Sequence, residues 1–395
     1  MDFDDTPEEA AFREQARAWL AAHAVAKGEP GDFSAGYFSG EIEPKEYIDR
    51  CRAWQGTLQA GGWAGISWPR QFGGRGAKPI EEAIFAEEQA KWGVSVGAFA
   101  VAIGMVGPTL MQHGTPEQQA RWLGPMLRGE EIWCQLFSEP EAGSDLASLR
   151  TRAIRDGNEF VVDGQKVWTS NAQFAEWGIL LTRSDPDAGS KNKGITTFAV
   201  RMDSPGIEIR PLRQLNGEAH FNEVFLDGVR IPADQVLGDV DEGWKVAVTT
   251  LSNERVAIAG GSGMTDTERL RLLARELAVG SDPLWRQRFA ELHTRNELLR
   301  YLKLRTRTAM SKGVRPGPEA SIMKLSYSRY VKAVGELALA MQGAYGQLEH
   351  PDAAAGGVFQ QKFLNAVQSS IGGGTDEIQR NIIGERVLGL PRDPR

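Results

Sequence analysis

The sequence predicts an α+β protein in which a small β domain lies between two helical regions. Two observations lead to this prediction. Apolar residues recur at helical spacing up to about residue 131 and again after about residue 237, whereas the stretch between consists of short alternating runs separated by turn residues. We therefore expect an N-terminal α-helical domain over 1–131, a middle β-sheet or small β-barrel domain over 132–236, and a C-terminal helical bundle domain over 237–395.

The N-terminal region carries signatures of helix starts. Thr6 and Glu9 are spaced as a capping box with proline at the first helical position between them, and Thr115 and Gln118 repeat this pattern. A further helical pattern begins at Pro79. We expect an α-helix to start at each of these positions.

The middle region is predicted to consist of short strands. The Asp163–Gly164 pair between β-forming residues is typical of a two-residue hairpin turn, and Pro205–Gly206 and Asp227–Gly228 are also expected to be turns. Alternating runs predict further strands over 195–200, 207–210 and 222–226. The middle region is therefore expected to be a small β domain.

The C-terminal region returns to helical patterns, which extend over 243–278, 283–312 and 319–342. Near its end, three consecutive glycines at 372–374 precede Thr375. Glycine lets a backbone approach a ligand closely, and threonine is a good N-cap for the helix that follows. The loop is therefore either a helix cap alone or a cap beside a ligand.

Composition argues against several classes of protein. A net charge of −7 and a pI near 5.5 disfavour nucleic acid or an anionic membrane as a partner, since both select basic surfaces. The two cysteines and five histidines are dispersed, so their spacing indicates no disulfide framework, metal site or Ser-His hydrolase. No G-x-G-x-x-G follows a predicted strand, which disfavours a nicotinamide Rossmann site. The acidic, polar start and short apolar windows predict a cytoplasmic protein without membrane insertion.

Four segments resemble the motifs of one enzyme family: SEPEAGSD at 138–145, VDGQKVWTSNAQFAEWG at 162–178, LSNERVAIAGG at 251–261 and IGGGTDEIQR at 371–380. Together they are similar to motifs of the acyl-CoA dehydrogenases. The resemblance implies that family's fold, with an N-terminal helical domain, a middle β domain and a C-terminal four-helix bundle. It also implies FAD as cofactor, an acyl-CoA thioester as substrate and an electron-transferring flavoprotein as the acceptor of electrons.

The resemblance assigns a flavin-binding role to two of these motifs. In the family, hydroxyl groups of the T/S-E-P and W-T/I-S/T motifs hydrogen-bond the flavin ring, and the tryptophan lies against it. Ser138, Ser170 and Trp168 stand at these places, flanked by Phe137 and Thr169. A lone serine or tryptophan beside a turn is more often a packing residue, and it is the joint occurrence of both motifs that favours the cofactor. The resemblance implies further FAD contacts for Ser144, Arg275, Thr375 and Glu377.

The same resemblance identifies Glu254 as the candidate catalytic base. A weakly acidic α-proton can be removed by a carboxylate only in a desolvated site that also stabilises the enolate. Most of the family carries this glutamate where the present chain has Gly373, but isovaleryl-CoA and long-chain acyl-CoA dehydrogenases carry it on the helix that Glu254 matches. The alternative is a surface glutamate in an ion pair, which the apolar neighbours of Glu254 disfavour. The resemblance implies substrate contacts for Ser144, Ser252, Arg255, Gly373 and Gly374.

The resemblance weakens over 270–350. Segment 274–285 lacks the Phe-Gly of the family's R-x-x-F-G loop, and segment 340–346, AMQGAYG, lacks the glutamine expected for its Q-x-x-G-G motif. With these motifs the family holds FAD across a subunit interface. The departure disfavours the usual sharing of FAD between identical subunits and is compatible with a heterotetramer of paralogous subunits, while a homo-oligomer, dimer or tetramer, stays open.

Two other functions stay open. A flavin oxidase or monooxygenase would consume oxygen rapidly with substrate, and a non-catalytic partner subunit would carry no flavin that acyl-CoA can bleach. The acyl chain is undetermined, although Gly260 and Gly261 after the base suggest room for a branched or bulky group.

Overall fold

The computed structural model describes residues 4–34, 36, 42–259, 266–314, 317–348 and 352–392, with the side chains of 255–259 and 266 left aside. The chain divides into two compact units. Unit 1 comprises Met1–Trp19, Lys78–Ala90 and Ile258–Arg395, and unit 2 comprises Leu20–Ala77 and Lys91–Ala257.

The described residues form α-helices in both units and strands in unit 2. The helices are α1 (Pro7–His23), α2 (Pro44–Ala60), α3 (Pro79–Gln89), α4 (Gly107–His113), α5 (Pro116–Arg128), α6 (Gly243–Ala259), α7 (Asp266–Glu276), α8 (Pro283–Ser311), α9 (Ala320–Gln342), α10 (Val358–Ala366) and α11 (Asp376–Ile382). The strands are β1 (Trp133–Leu136), β2 (Arg152–Asp156), β3 (Glu159–Ser170), β4 (Trp177–Arg183), β5 (Ile195–Arg201), β6 (Ile207–Leu212), β7 (Phe221–Pro232) and β8 (Val236–Leu237).

This order of elements confirms the predicted α+β class, with helices at both ends and a sheet between them. The domain boundaries after residues 131 and 236 stay predictions. The helical pattern over 243–278 corresponds to α6 and α7, and the intervening 260–265, with Gly260 and Gly261, lie outside the described residues.

No described helix is both long and apolar enough to cross a membrane.

The predicted helix starts are confirmed by their hydrogen bonds. In α1 the backbone N–H of Glu9 donates to Thr6 Oγ1 at 3.3 Å, and the N–H of Thr6 donates to Glu9 Oε2 at 3.2 Å. In α5 Thr115 and Gln118 exchange the same two bonds, at 3.3 and 3.0 Å. These side chains satisfy N–H groups that have no partner within the helix.

The strands of unit 2 form one sheet in the order β6-β7-β3-β2-β4-β5-β8, and β1 pairs with β4. The β1–β4 pair is parallel, whereas β3–β7, β4–β5 and β6–β7 are antiparallel. The sheet buries an apolar cluster that includes Leu136, Phe160, Val162, Phe198, Val224 and Ile231. This core fixes β1, which leads into Phe137 and Ser138, and β3, which carries Trp168 and Ser170.

Two of the three predicted turns are wrong. Asp163–Gly164 lies inside β3 and Asp227–Gly228 lies inside β7, while the chain reverses between β2 and β3 at Gly157. The two pairs meet instead at a β-bulge, where the β3–β7 register shifts and the N–H of Gly228 donates to Asp163 Oδ1 at 2.9 Å. An Asp-Gly pair indicates a local backbone irregularity, which a bulge in a long strand satisfies as well as a turn does. The predicted turn at Pro205–Gly206 is confirmed.

Unit 1 contains a buried charge network that connects α1, α3 and α8. Arg13 donates to Glu88 Oε1 at 2.7 Å and to Asp5 Oδ2 at 2.7 Å, and Arg17 donates to Glu88 Oε2 at 2.9 Å. Arg307 of α8 also pairs with Asp5. Glu88 is almost fully buried, so its charge requires these partners.

The helices α7 to α10 of unit 1 pack around a second apolar core. Its buried members include Leu270, Leu292, Leu299, Met323, Tyr330, Val334 and Phe359. Gly335 of α9 allows a close approach to α10, because a Cβ at this position would lie 2.8 Å from the Cα of Phe363. The predicted helices over 283–312 and 319–342 are confirmed as α8 and α9.

Candidate functional site

The structure brings the two predicted flavin motifs together. The backbone N–H of Val167 donates to the carbonyl of Ser138 at 2.9 Å, and Lys166 Nζ donates to the carbonyl of Phe137 at 3.1 Å. These bonds hold the segment directly after β1, Phe137–Ser138, alongside β3. We call this stretch the flavin segment, after its predicted role. Ser138 and the Trp168 motif are therefore neighbours in space, although about thirty residues separate them in the chain.

A buried ion pair lies beneath this contact. Lys166 is fully buried and donates to Glu139 Oε1 at 2.8 Å. Glu139 also accepts hydrogen bonds from the backbone N–H groups of Arg150, at 2.6 Å, and Thr151, at 2.8 Å. Burial lowers the pKa of Lys166 to about 8, against the opposing effect of Glu139, so the lysine is mostly charged at neutral pH. The pair cross-links the segment after β1, the start of β2 and the middle of β3.

Trp168 has a left-handed backbone and an exposed indole. Its φ is 60°, which costs a bulky L-residue roughly 1–2 kcal/mol. The β3–β7 register shifts between Lys166 and Thr169, so Trp168 lies in a bulge, and its side chain is 60% exposed. The indole contacts Phe221 edge-on, with ring centroids 5.9 Å apart. Backbone strain of this kind occurs mostly at functional sites, and here it presents a flat aromatic face to the surface.

The other motif residues differ in accessibility. Ser138 and Ser170 are half-buried, so their hydroxyls can reach a ligand. Thr169 is buried, and its hydroxyl has no hydrogen-bond partner among the described residues. Phe137 is also buried. The side chains of Thr169 and Phe137 are therefore not accessible at the surface, in contrast to Trp168.

Ser144 is exposed in the loop that follows the S-E-P motif. The next residue, Asp145, accepts hydrogen bonds from Lys191 Nζ and from Ser148 Oγ, both at 2.6 Å. These bonds attach the loop to the β4–β5 connection. The structure leaves the Ser144 hydroxyl at the surface, in a position open to a ligand.

The helix α6, which carries Glu254, is attached to α4. Thr250 and Thr109 share a hydrogen bond between buried hydroxyls at 3.0 Å, and Thr249 Oγ1 lies 2.8 Å from His113 Nε2. Burial lowers the pKa of His113, so its ring is neutral at pH 7. Glu254 follows Thr250 by one helical turn, and α4 therefore fixes the position of the candidate base.

Glu254 is half-buried and accepts a hydrogen bond at Oε2 from Gln135 Nε2 at 3.4 Å. Gln135 is the half-buried residue of β1, whose other residues are buried. Since β1 runs directly into Phe137 and Ser138, one short strand connects the candidate base to the flavin segment. The other predicted residues of α6 are Ser252, whose hydroxyl donates to the carbonyl of Val248 at 2.7 Å, and Arg255, whose side chain lies outside the described part.

In unit 1 the C-terminal glycine loop has a fixed conformation. Gly373 and Gly374 have left-handed φ values of 66° and 88°. Gln379, which is 1% exposed, donates from Nε2 to their carbonyls at 2.9 and 3.1 Å. Thr375 caps α11 by accepting from the N–H of Ile378 at 3.2 Å, which confirms the predicted cap. The loop therefore has the defined backbone that a ligand-binding turn requires.

The remaining predicted FAD residues of unit 1 are exposed. Glu377 is exposed and pairs with Arg380 at 2.8 Å, and Arg275 is exposed in the last turn of α7. Between Thr375 and Glu377, Asp376 is buried and accepts from Ser328 at 2.8 Å and Lys324 at 3.3 Å. Despite burial, these donors hold the pKa of Asp376 below its usual value. This ion pair anchors the start of α11.

The groups of unit 2 fit a flavin ring. A planar aromatic face at Trp168 and two accessible hydroxyls at Ser138 and Ser170 lie on segments that hydrogen bonds hold side by side. A flavin needs such a flat contact together with donors at the polar edge of its ring. Among the described residues, no group of three His, Cys, Asp or Glu side chains is arranged to hold a metal ion.

Four positioning side chains were not predicted from the sequence. Glu139 lies inside the motif at 138–145 and Lys166 inside the motif at 162–178. A lysine among the apolar residues of a predicted strand was an available signal that Lys166 needs a charged partner. Gln379 also lies in a quoted motif. Gln135 carries no signal of its own, because its contact with Glu254 depends on how β1 and α6 pack.

Replacing Lys166 by Met keeps the length of the side chain and removes both the donor to Phe137 and the counter-charge of Glu139. We expect the affinity for FAD to fall about tenfold or more, because Phe137 and Glu139 both lose the Lys166 ammonium that holds them. A tenfold change in affinity corresponds to about 1.4 kcal/mol of binding free energy. Calorimetric titration of the apoprotein with FAD measures this, and thermal unfolding of the same samples detects any loss of the fold.

Arg152→Met is the matched control for Lys166→Met. It removes an exposed ion pair with Asp163, at 3.5 Å, on the neighbouring strands. Its FAD affinity should equal that of the wild type. Unchanged FAD affinity in folded Lys166→Met would mean that the buried pair does not shape the flavin segment.

The chain matches three models of one protein family in sequence order. The acyl-CoA dehydrogenase N-terminal domain matches residues 6–130, the middle domain matches 134–229 and the C-terminal domain matches 241–388. Acyl-CoA dehydrogenase IpdE1 of Mycobacterium tuberculosis is 38% identical over 97% of this chain and 98% of that protein. FadE34 of the same organism is 44% identical over 82% of this chain, which spans only 44% of that longer protein.

Solved structures give the same result. The Tcur3481-Tcur3483 steroid ACAD is 30% identical, with a TM-score of 0.84 and 100% coverage of both chains. The ChsE4-ChsE5 complex from Mycobacterium tuberculosis is 28% identical, with a TM-score of 0.81 and 100% coverage of both chains. Since the three domain models match in order along most of its length, the chain belongs to the acyl-CoA dehydrogenases, which are FAD-dependent oxidoreductases.

Proposed function

We propose that this acyl-CoA dehydrogenase converts an acyl-CoA thioester to the trans-2-enoyl-CoA, with Glu254 as the catalytic base. The placement of Glu254 is the observation that carries the proposal. Its half-buried carboxylate lies on a helix anchored by Thr109 and His113, and it is hydrogen-bonded to the strand that leads into Ser138. A partly desolvated, oriented carboxylate beside the cofactor segment is what α-proton abstraction requires.

In the proposed reaction, Glu254 takes a proton from the α-carbon. The Cα–H bond breaks, an O–H bond forms on the carboxylate, and the released electron pair forms the Cα=Cβ bond as hydride leaves the β-carbon. FAD, when bound, would supply the hydride acceptor. Trp168, Ser138 and Ser170 would hold the flavin ring and limit access of water to it. Glu254 then returns its proton to solvent after product release.

The backbone at Gly373 supports the choice of Glu254. A glutamate at 373 would have to adopt the left-handed φ of 66°, at a cost of roughly 1–2 kcal/mol. The glycine loop is suited instead to present backbone N–H groups. We assign Gly373 and Gly374 to the thioester, Thr375, Glu377 and Arg275 to FAD, and Ser144, Ser252 and Arg255 to the CoA substrate.

Glu254→Gln keeps the size of the side chain and removes the proton acceptor. We expect flavin binding to be retained and reduction by substrate to slow by about 10²- to 10⁴-fold, the usual contribution of general-base catalysis. Anaerobic stopped-flow bleaching of the bound flavin measures this rate. Glu242→Gln, which changes an exposed glutamate near the start of the same helix, is the control and should reduce at the wild-type rate. Reduction of Glu254→Gln at the wild-type rate would refute the assignment.

The proposed electron acceptor is an electron-transferring flavoprotein. The rival is an oxidase that uses the same fold, in which oxygen takes the electrons. After anaerobic reduction by substrate, we expect reoxidation by an electron-transferring flavoprotein to be much faster than reoxidation by air. Faster reoxidation by dissolved oxygen would favour the oxidase.

For the substrate, we propose a bulky, ring-bearing acyl group. The proposal is supported by the similarity to the steroid ACAD and by the location of the base on α6. A CoA thioester with a steroid side chain should therefore bleach the flavin at least about tenfold faster than octanoyl-CoA, since pocket fit discriminates by about this factor per misplaced group. Isovaleryl-CoA is the branched control. Fastest bleaching by octanoyl-CoA would contradict the assignment of a bulky substrate.

We further propose that unit 1 binds a second acyl-CoA dehydrogenase chain, identical or paralogous. Phe363, Val367 and Ile371 recur at every fourth residue and are 38%, 50% and 60% exposed, an unusual apolar run for a free surface. The ChsE4-ChsE5 complex, a relative with two kinds of chain, supports a paralogous partner.

Light scattering tests this assembly. The protein alone, or with its paralogue, should form at least a dimer at micromolar concentration, and Val367→Asp should dissociate it because a buried unpaired charge is costly. Leu215→Asp, at a 76% exposed position in unit 2, is the control and should leave the mass unchanged. A fully active monomer would contradict the proposal.

A further inference from the structure

We propose that Gln135 is a positioning residue for the catalytic base: its amide holds the Glu254 carboxylate in register with the flavin segment that begins two residues farther along the chain. This inference rests on the proposed function, because it assumes that Glu254 is the base. It adds a residue that none of the motifs contains. The geometry behind it is the 3.4 Å hydrogen bond from Gln135 Nε2 to Glu254 Oε2.

The strand that carries Gln135 is fixed at both ends. At its start, Trp133 is buried and stacks on Trp177 of β4, with ring centroids 5.6 Å apart. After it, the carbonyl of Phe137 accepts from Lys166 and the carbonyl of Ser138 accepts from Val167. The backbone of Gln135 therefore has little freedom, so the Cα from which its side chain extends is fixed relative to the flavin segment.

The helix that carries Glu254 is fixed one turn before the base, at Thr250. Its first residue, Gly243, accepts a hydrogen bond from Thr197 Oγ1 of β5 at 3.1 Å. These contacts set the position of the helix axis, but a glutamate side chain has further rotatable bonds beyond its backbone. The hydrogen bond from Gln135 Nε2 joins the Glu254 carboxylate to β1 and so restricts those bonds.

This hydrogen bond has two opposing effects on the rate of proton abstraction. A donor to the ionised carboxylate makes it a weaker base, which slows proton transfer. Orientation works in the other direction, because misplacement of a reacting group by about 1 Å can cost about 10²-fold in rate. The effect of orientation exceeds the effect of one neutral, long hydrogen bond on basicity. The amide therefore accelerates the reaction, and its removal slows proton abstraction.

The amide is suited to this role because it is neutral. A lysine or arginine at 135 would form an ion pair with the base and hold it deprotonated, whereas an apolar side chain at 135 would remove this hydrogen bond from the carboxylate. Glutamine orients the carboxylate while leaving it able to accept a proton.

The test is Gln135→Met, which keeps the length of the side chain and removes the donor. We expect reduction by the acyl-CoA that bleaches the flavin fastest to slow by about tenfold, the scale of a lost hydrogen bond to a charged group. The dissociation constants for FAD and for the substrate should be unchanged. Gln165→Met is the matched control, because Gln165 also donates to a carboxylate, Glu223 Oε1 at 3.0 Å, on β3 and β7. It should reduce at the wild-type rate.

A double-mutant cycle separates positioning from a general structural effect. If Gln135 acts through Glu254, adding Gln135→Met to Glu254→Gln should slow reduction no further. The exchange of α-hydrogens of 3,3-dimethylbutyryl-CoA with D₂O, followed by mass spectrometry, should also slow about tenfold in Gln135→Met. This thioester has no β-hydrogen, so its exchange reports proton abstraction without hydride transfer.

The outcomes separate the two proposals. Wild-type rates in Gln135→Met, or a further tenfold loss when it is added to Glu254→Gln, would overturn the role of Gln135 and leave Glu254 as the base. A wild-type rate in Glu254→Gln alone would overturn the base assignment, and the role of Gln135 with it.

Discussion

The buried pair of Lys166 and Glu139 is the interaction on which the candidate site depends. It joins three segments that the chain order keeps apart: the end of β1, the start of β2 and the middle of β3. A buried charge pair is stable only when every donor and acceptor is satisfied, and here the backbone supplies the remaining partners. The pair therefore specifies one arrangement of the flavin segment rather than adding much net stability.

The strained Trp168 depends on that arrangement. A bulky residue with φ of 60° persists only where the surrounding structure requires it, and the strand on either side is held by Lys166, by Val167 and by the pairing of Thr169 with β7. Val167 and Lys166 donate to Ser138 and Phe137, which directly follow β1. In β1, Gln135 donates to the Glu254 carboxylate. The proposed flavin contact and the proposed catalytic base are thus connected through β1 and the hydrogen bonds of Gln135, Phe137 and Ser138, within unit 2.

In unit 1 a neutral side chain, Gln379, holds the backbone of the candidate ligand loop. The Gln379 amide holds two left-handed glycines, and the pair of Asp376 and Lys324 anchors the helix that follows. In both units some of the groups expected to touch the ligand are hydroxyls or backbone groups, as at Ser138, Ser170 and the glycine loop, whereas the side chains that determine their geometry are buried and either charged or amide-bearing. Charged and amide groups are costly to bury unless paired, so each such group has a defined set of partners.

Local sequence patterns predicted the fold class, the capping boxes at Thr6 and Thr115, the cap at Thr375 and the long helices α8 and α9, because these depend on residues three or four positions apart. The motifs likewise predicted flavin contacts for Ser138, Trp168 and Ser170, and these contacts stay predictions. The Asp163–Gly164 and Asp227–Gly228 pairs were misinterpreted as turns, because the same residue types serve in a bulge when two long strands pair across them. Tertiary structure alone decided that Thr169 is buried while Trp168 is exposed, that Lys166 pairs with Glu139, and that Gln135 contacts Glu254. These contacts join residues far apart in the chain, and no local periodicity encodes which strands and helices will lie side by side.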